Sequence, residues 1–247
     1  MKLKRPVLIG DLHNQISQKI VKTFLVQNER EISDGIKGFI LHGPPGTGKS
    51  TIAKWVISDV VAKTHLEHFP DDQLYVLLNL ADIAKAKFGE TEDIIRDNFE
   101  SAMKIAKNNG NFFIIVMDDV DGMFPSRSFQ KLDAWYLGHL NVLFTELDKL
   151  ETDKVGVIMT TNRRDLLDDA VISRLVDFEV PFISIETAKM KIESRIKELK
   201  MDNDYIEIVL NRINKKIKDG TIKNLSFRDV EKEMMFAYLE WIDAESE

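Results

Sequence analysis

The sequence contains no cysteine. That excludes a disulfide framework, a zinc–thiolate site and a thiol nucleophile, and it fits a reducing compartment. Long apolar runs are also missing. The longest spans Phe112 to Met117, far short of the about 20 residues that a membrane helix needs. Only Val7 to Ile9 separate the basic start from Gly10 and Asp11, too few for a signal-peptide core. Positive charge is in short supply: the net charge is −7. A surface that binds nucleic acid all over is therefore disfavoured, although a local basic stripe stays open. Internal repeats and low-complexity linkers are absent. These exclusions leave a cytoplasmic globular protein with no membrane partner. Of its 247 residues 44% are hydrophobic and 30% charged, enough for a sizeable core.

The hydrophobic pattern alternates between strand-like and helix-like stretches. Leu12, Ile16, Ile20 and Phe24 recur every four positions, as on one face of a helix. Strands are predicted at 38–42, 75–80, 112–117, 155–160 and 178–180, and helices at 50–63, 91–107 and 132–150. Such alternation implies a parallel sheet covered on both faces. After Pro181 three helices follow without a strand, near 185–200, 204–218 and 226–242. The expected organisation is an α/β domain over 1–183 and a small all-helical lid domain over 184–247.

Gly43, Pro44, Pro45, Gly46, Thr47, Gly48, Lys49 and Ser50 fit G-x-x-x-x-G-K-[ST], after a strand and before a helix. Glycines let the backbone curl so that its N–H groups face an anion, and the helix adds its positive dipole end. Lys49 is a point charge for the β- and γ-phosphates. The Ser50 hydroxyl suits Mg²⁺. Residues 43–51, Thr51 included, are the candidate ATP/ADP-binding stretch. A second signal is the apolar run that ends in Asp118-Asp119, which sets carboxylates at the carboxyl end of a buried strand, where open α/β sheets bind ligands. Asp118 is expected to hold Mg²⁺ and Asp119 to orient the attacking water.

Together these motifs resemble an AAA+ ATPase. Further stretches narrow the resemblance to the AAA family proper. Thr161 to Ala170 (TNRRDLLDDA) is similar to that family's T-N-R-P-D-x-L-D-x-A signature, Leu143 to Asp148 (LFTELD) to its L-L-T-E-M-D helix, and Asp118 to Arg127 to D-E-I-D-S-L-x-P-x-R. Lys87 to Glu92 (KFGETE) resembles its pore loop. The resemblance implies a five-stranded P-loop sheet with a helical lid. It also implies ATP held between subunits of a homo-oligomeric ring, usually a hexamer. Asn162 then matches the sensor that contacts the γ-phosphate or the water. Arg174 matches an arginine finger acting on the neighbouring subunit's ATP. Arg228, in Leu225-Ser-Phe-Arg-Asp-Val230, stands near a lid position where other AAA+ branches carry an ATP-contacting arginine.

Four departures matter. Asp119 replaces the family's glutamate and is shorter by one methylene, about 1.5 Å. A displacement of ~1 Å at a reacting centre costs ~10²-fold. Ser173 fills the place of a first finger arginine. The pore position holds Lys87, with Phe88 next, so Phe88 is the candidate client-gripping residue and Lys85 with Lys87 makes the pore partly basic. The resemblance begins close to the first residue given, so an N-terminal recruitment domain is not expected. Partner binding is therefore expected from surface patches, from a separate protein or from the acidic tail (Glu240, Asp243, Glu245, Glu247). His65 and His68 read as surface, and Lys215, Lys216, Lys218 and Lys223 as a solvated face. The leading expectation is a Mg²⁺-dependent ATPase ring that remodels or translocates a partner protein. The alternatives are a DNA-acting loader or regulator, and a nucleotide-gated scaffold with slow hydrolysis.

Overall fold

A computed structural model describes residues 5–79, 90–124, 126, 134–199 and 204–245, without the side chains of 134, 135, 199, 241 and 243–245. In chain order the helices are α1 (Asp11–Glu29), α2 (Lys49–Lys63), α3 (Glu90–Asn109), α4 (Ala134–Lys149), α5 (Asp169–Arg174), α6 (Ile185–Leu199), α7 (Asp204–Lys218) and α8 (Phe227–Glu245). The strands are β1 (Gly38–His42), β2 (Tyr75–Asn79), β3 (Phe113–Asp118), β4 (Val155–Thr161) and β5 (Val176–Glu179). None of the described helices is long and apolar enough to cross a membrane.

The residues fall into two compact units. The first comprises the described parts of Met1–Leu8, Gln15–Gly43 and Lys49–Glu179; the second comprises Ile9–Asn14, Pro44–Gly48 and Val180–Glu247. Thus the chain enters the second unit three times. A single cut at residue 183 misses the two early entries, because hydrophobic pattern reports helix and strand but not which neighbours a loop keeps.

The first unit is built on a five-stranded parallel sheet of order β2-β3-β4-β1-β5. Strands β3 and β4 are buried almost throughout, which is why they read as unbroken apolar runs. On one face Ile115 and Met117 pack with Val157 and Met159, under Ile95, Phe99 and Ala102 of α3 and Leu140, Leu143 and Leu147 of α4. Elsewhere in the unit Phe24 of α1 meets Phe39 and Phe112, at ring-centre distances of 5.4 and 5.2 Å. The chain leaves β1 for the far edge strand β2, but leaves β4 for β5 on the opposite side. The carboxyl ends of β1 and β4 open where these directions diverge, the usual place for a ligand in such sheets.

Strand β5 starts two residues earlier than its apolar run predicts, since Val176 and Asp177 pair with Phe39 and Ile40. Helix α5 has six residues and no apolar repeat to announce it. Asp168 caps it, accepting from the Ala170 N–H at 3.0 Å.

The second unit has its own core. Ala188, Ile192 and Ile196 of α6 pack with Tyr205, Val209 and Ile213 of α7 and Val230, Met234 and Ala237 of α8. Spacings of three and four put each set on one face. Ser226 and Asp229 form a reciprocal cap that starts α8: Ser226 donates its N–H (3.0 Å) and hydroxyl (2.6 Å) to the carboxylate, and its oxygen accepts the Asp229 N–H at 3.3 Å.

Candidate functional site

In the first unit, the parallel register sets His42 beside Thr161 and Met117 beside Met159. The residues just past those pairs converge. The Gly43 N–H donates to the Thr161 carbonyl at 3.2 Å. Lys49 opens α2, and although it is a lysine it is only 6% exposed. Its ammonium donates to the Gly43 carbonyl at 2.7 Å and to Asn162 Oδ1 at 2.8 Å. The other end of that amide donates to Asp119 Oδ1 at 3.0 Å. Ser50 Oγ donates to Asp118 Oδ1 at 2.8 Å, and Thr51 sits half-buried beside it. Lys49, Asn162 and Asp119 therefore form one hydrogen-bonded run at the strand ends, with the Ser50–Asp118 pair beside it.

Three further residues hold this group in place, and the sequence reading did not select them. The Thr160 hydroxyl donates to Asp118 Oδ1 at 2.5 Å and accepts the Asp119 N–H at 3.1 Å. The Thr161 hydroxyl donates to Asp121, whose carboxylate also accepts the Asn162 N–H at 3.1 and 3.2 Å. Alternation on β4 and the Asp-Asp-Val-Asp spacing were the available signals, but neither says which carboxylate meets which hydroxyl. Asp119 has left-handed backbone angles, φ 55° and ψ 56°, a conformation uncommon outside glycine, asparagine and aspartate. Partial burial pushes its carboxyl pKa above the ordinary value, and the neighbouring Asp118 and Asp121 charges add to that. The Asn162 amide and Lys49 pull it back.

Hard oxygen donors from Ser50 and Asp118 suit Mg²⁺, which keeps several waters and takes phosphate oxygens rather than an all-protein cage. Among the described residues no group of three or more histidines and acids is arranged to hold a metal.

The glycine-rich loop, Pro44 to Gly48, belongs to the second unit. Gly46 and Gly48 have φ of +78° and +98°, which L side chains avoid. Space is tight as well: a Cβ at Gly46 would lie 3.0 Å from Arg228 Cβ, and one at Gly48 would lie 3.2 Å from His13 Nε2. Thr47 is fully buried, its hydroxyl bonded to the Pro44 carbonyl at 2.9 Å. Arg228 lies in the first turn of α8 with its side chain exposed. His13 went unselected because it is 34 residues from the loop.

Arg174 has its own set of contacts. It forks onto Asp148 through Nε (2.9 Å) and Nη2 (3.2 Å), donates to the Ala170 carbonyl (3.1 Å) and lies 4.5 Å from the Phe144 ring centre. That pairing draws the Asp148 pKa down. Ser173, in the place of the first finger arginine, bonds back to the Ala170 carbonyl at 3.1 Å. Lys216 is not simply solvated: it donates to buried Glu233 at 2.5 Å. Lys85, Lys87 and Phe88, the pore residues, lie outside the described residues, as do the side chains of Asp243, Glu245 and Glu247. Glu240 of the same tail bonds Arg212 at 2.6 Å.

The chain is similar to known proteins. The chain is 27% identical to a proteasome-activating nucleotidase of Sulfurisphaera tokodaii over 234 residues, which cover 88% of this chain and 54% of that one. It is 29% identical to the 26S proteasome regulatory subunit 8 homolog of Saccharomyces cerevisiae over 201 residues, 76% of this chain and 46% of the relative. It thus spans about half the length of these curated relatives. In fold it resembles a chain of the HORMA:CdnC:Trip13 complex of E. coli MS115-1, with a TM-score of 0.63 at 19% identity over 83% of this chain and 73% of that one. The model of the ATPase family associated with various cellular activities (AAA) matches residues 39–182. That stretch carries the sheet and the whole Lys49–Asp118–Asn162 group, and the chain belongs to this family of ATPases.

Proposed function

We propose that this chain hydrolyses MgATP as a subunit of a homo-oligomeric, hexameric ring and uses the energy to remodel or translocate a partner protein. The observation that carries the proposal is the continuous link Lys49–Asn162–Asp119 beside Ser50–Asp118. The loop amides of 43–51 and the Lys49 ammonium bind the phosphates, and Ser50 and Asp118 hold Mg²⁺. A Mg²⁺ ion held by these two residues would supply positive charge against that developing on the phosphate oxygens. Asp119 accepts a hydrogen bond from the attacking water and orients it, and Asn162 fixes the Asp119 carboxylate. Arg228 stands on the helical side of the loop for a contact with the nucleotide. The reaction asks for positioning and electrostatics rather than covalent chemistry.

The missing methylene at Asp119 argues for a slow scaffold only if the carboxylate falls short of its partner. Asp119 Oδ1 accepts from the Asn162 amide at 3.0 Å, and a carboxylate held in one orientation favours turnover over a slow scaffold. Lys216 is engaged with Glu233, which weakens the case for a nucleic-acid face around it. A protein client is favoured by kinship with a proteasome-activating nucleotidase.

Arg174 is the proposed finger toward the next subunit, with Asp148 and Phe144 pre-aiming its guanidinium. For Arg174→Ala we expect ATP binding to persist while phosphate release falls sharply. Mixing it with inactive Lys49→Ala subunits should restore part of the activity. An inactive Arg174→Ala protein with no rescue on mixing removes the trans role. A folded wild type that binds no adenine nucleotide with Mg²⁺ removes the whole reading.

A further inference from the structure

We infer that His13 is a positioning residue of the phosphate loop, fixing the Thr47 carbonyl so that the loop's amides present to the nucleotide's phosphates; this rests on the nucleotide-binding reading above. In an anion-binding loop the N–H groups point inward and the carbonyls outward. Outward carbonyls that are buried need donors of their own. Here two consecutive ones have them: the Gly46 carbonyl accepts the Phe227 N–H at 3.0 Å, and the Thr47 carbonyl is 2.7 Å from His13 Nε2. A carbonyl only accepts, so Nε2 carries the proton and the ring's tautomer is fixed.

His13 is 5% exposed. Its ring stands edge-on to Phe227 at 5.3 Å and against Gly48, where it fills the space of a side chain. Burial lowers its pKa from the usual 6.5, while the Thr47 bond works the other way, and the net direction favours the neutral ring with its proton on Nε2. The ring therefore supports the loop from behind at Thr47 and Gly48, immediately before Lys49. Its bond goes to the loop's backbone, so its effect is on affinity rather than on the chemical step.

The test is MgATP and MgADP binding, with steady-state phosphate release, for wild type, His13→Leu and His13→Gln. Leucine keeps bulk but strands the Thr47 carbonyl; glutamine returns an N–H donor. Losing a buried partner of this kind corresponds to about a tenfold weakening. We expect the Kd and KM of His13→Leu to rise about tenfold with kcat at saturating ATP unchanged, and His13→Gln to recover most of the loss. His13→Leu binding as tightly as wild type overturns the inference, and so does a glutamine variant no better than leucine. A kcat loss with unchanged KM overturns it as well. Should His13→Leu not fold, imidazole ¹⁵N resonances of the wild type decide: one histidine locked with its proton on Nε2, its shift moving when MgADP is added, supports the inference, and a freely titrating His13 overturns it. A wild type that binds no MgATP overturns this inference together with the function above, whereas binding lost in Lys49→Ala but intact in His13→Leu overturns this inference alone.

Discussion

Two clusters of carboxylates in this molecule are treated in opposite ways. In the helical unit Glu233 is 3% exposed. It receives Lys216 at 2.5 Å and Arg212 at 3.3 Å, and Arg212 reaches on to Glu240 at 2.6 Å. At the end of β3, Asp118, Asp119 and Asp121 lie within four residues. Their hydrogen bonds come from Ser50, Thr160, Thr161 and Asn162. Those donors are neutral hydroxyls and amides, which orient a carboxylate without cancelling its charge. A buried acid met by two cations is a structural device, since leaving either side alone is costly. Acids crowded together and held by neutral groups keep the charge that the proposed metal and water roles need, and the raised Asp119 pKa records first its partial burial and then their mutual repulsion.

The comparison breaks or sharpens under three changes. The largest effect is expected for Asp119→Asn, which keeps shape and removes the charge. Phosphate release should fall by about 10²-fold or more, with ATP affinity kept. An unchanged rate would show that the β3 acids are no more chemical than Glu233. Next comes Glu233→Ala, which leaves Arg212 and Lys216 facing an empty place. Both cations are partly exposed, so a loss of about 2 kcal/mol is expected. That lowers the thermal midpoint by about 4–8 °C at this chain length, while the folded fraction keeps its turnover. A midpoint that does not move would mean that the buried acid contributes nothing to the fold.

The smallest effect concerns pH. His13, His42 and His139 all have pKa values below the usual 6.5, with burial as the first cause for each. Unfolded, they take up protons at pH 6.5 and below that the native protein declines. Stability from this source is therefore complete above pH 6.5 and falls as pH drops from there toward the native pKa values. Urea midpoints between pH 7.5 and 5.5 should follow that slope, and His139→Gln should flatten it. A wild-type profile that rises toward acid contradicts the assignment.

Much of this was legible in the chain. The strand 112–117 announced itself because a central parallel strand is buried on both faces, and the structure displaces it only by one residue. Lys49 and Ser50 were legible because their residue types stand at fixed spacings along one stretch, and Asp118 because it ends a buried apolar run; that Ser50 and Asp118 meet across 68 residues was not written in either. Asp121 and Thr161 were not, since their contact joins residues 40 apart through the β3–β4 pairing. His13 was less visible still: a lone histidine on an amphipathic helix carries no periodic mark of the carbonyl it serves.

The amino-acid sequence by itself determined the order of helices and strands, the phosphate loop and the acids of the β3 end, because those depend on periodicity and on short-range spacing. Only the tertiary structure decided which hydroxyl orients which carboxylate, that Arg174 rests on Asp148, and that 9–14 and 44–48 join the helical unit. Those facts depend on strand register and on packing between distant segments, where a hydrogen bond's few ångströms are set by the whole fold rather than by neighbours in the chain.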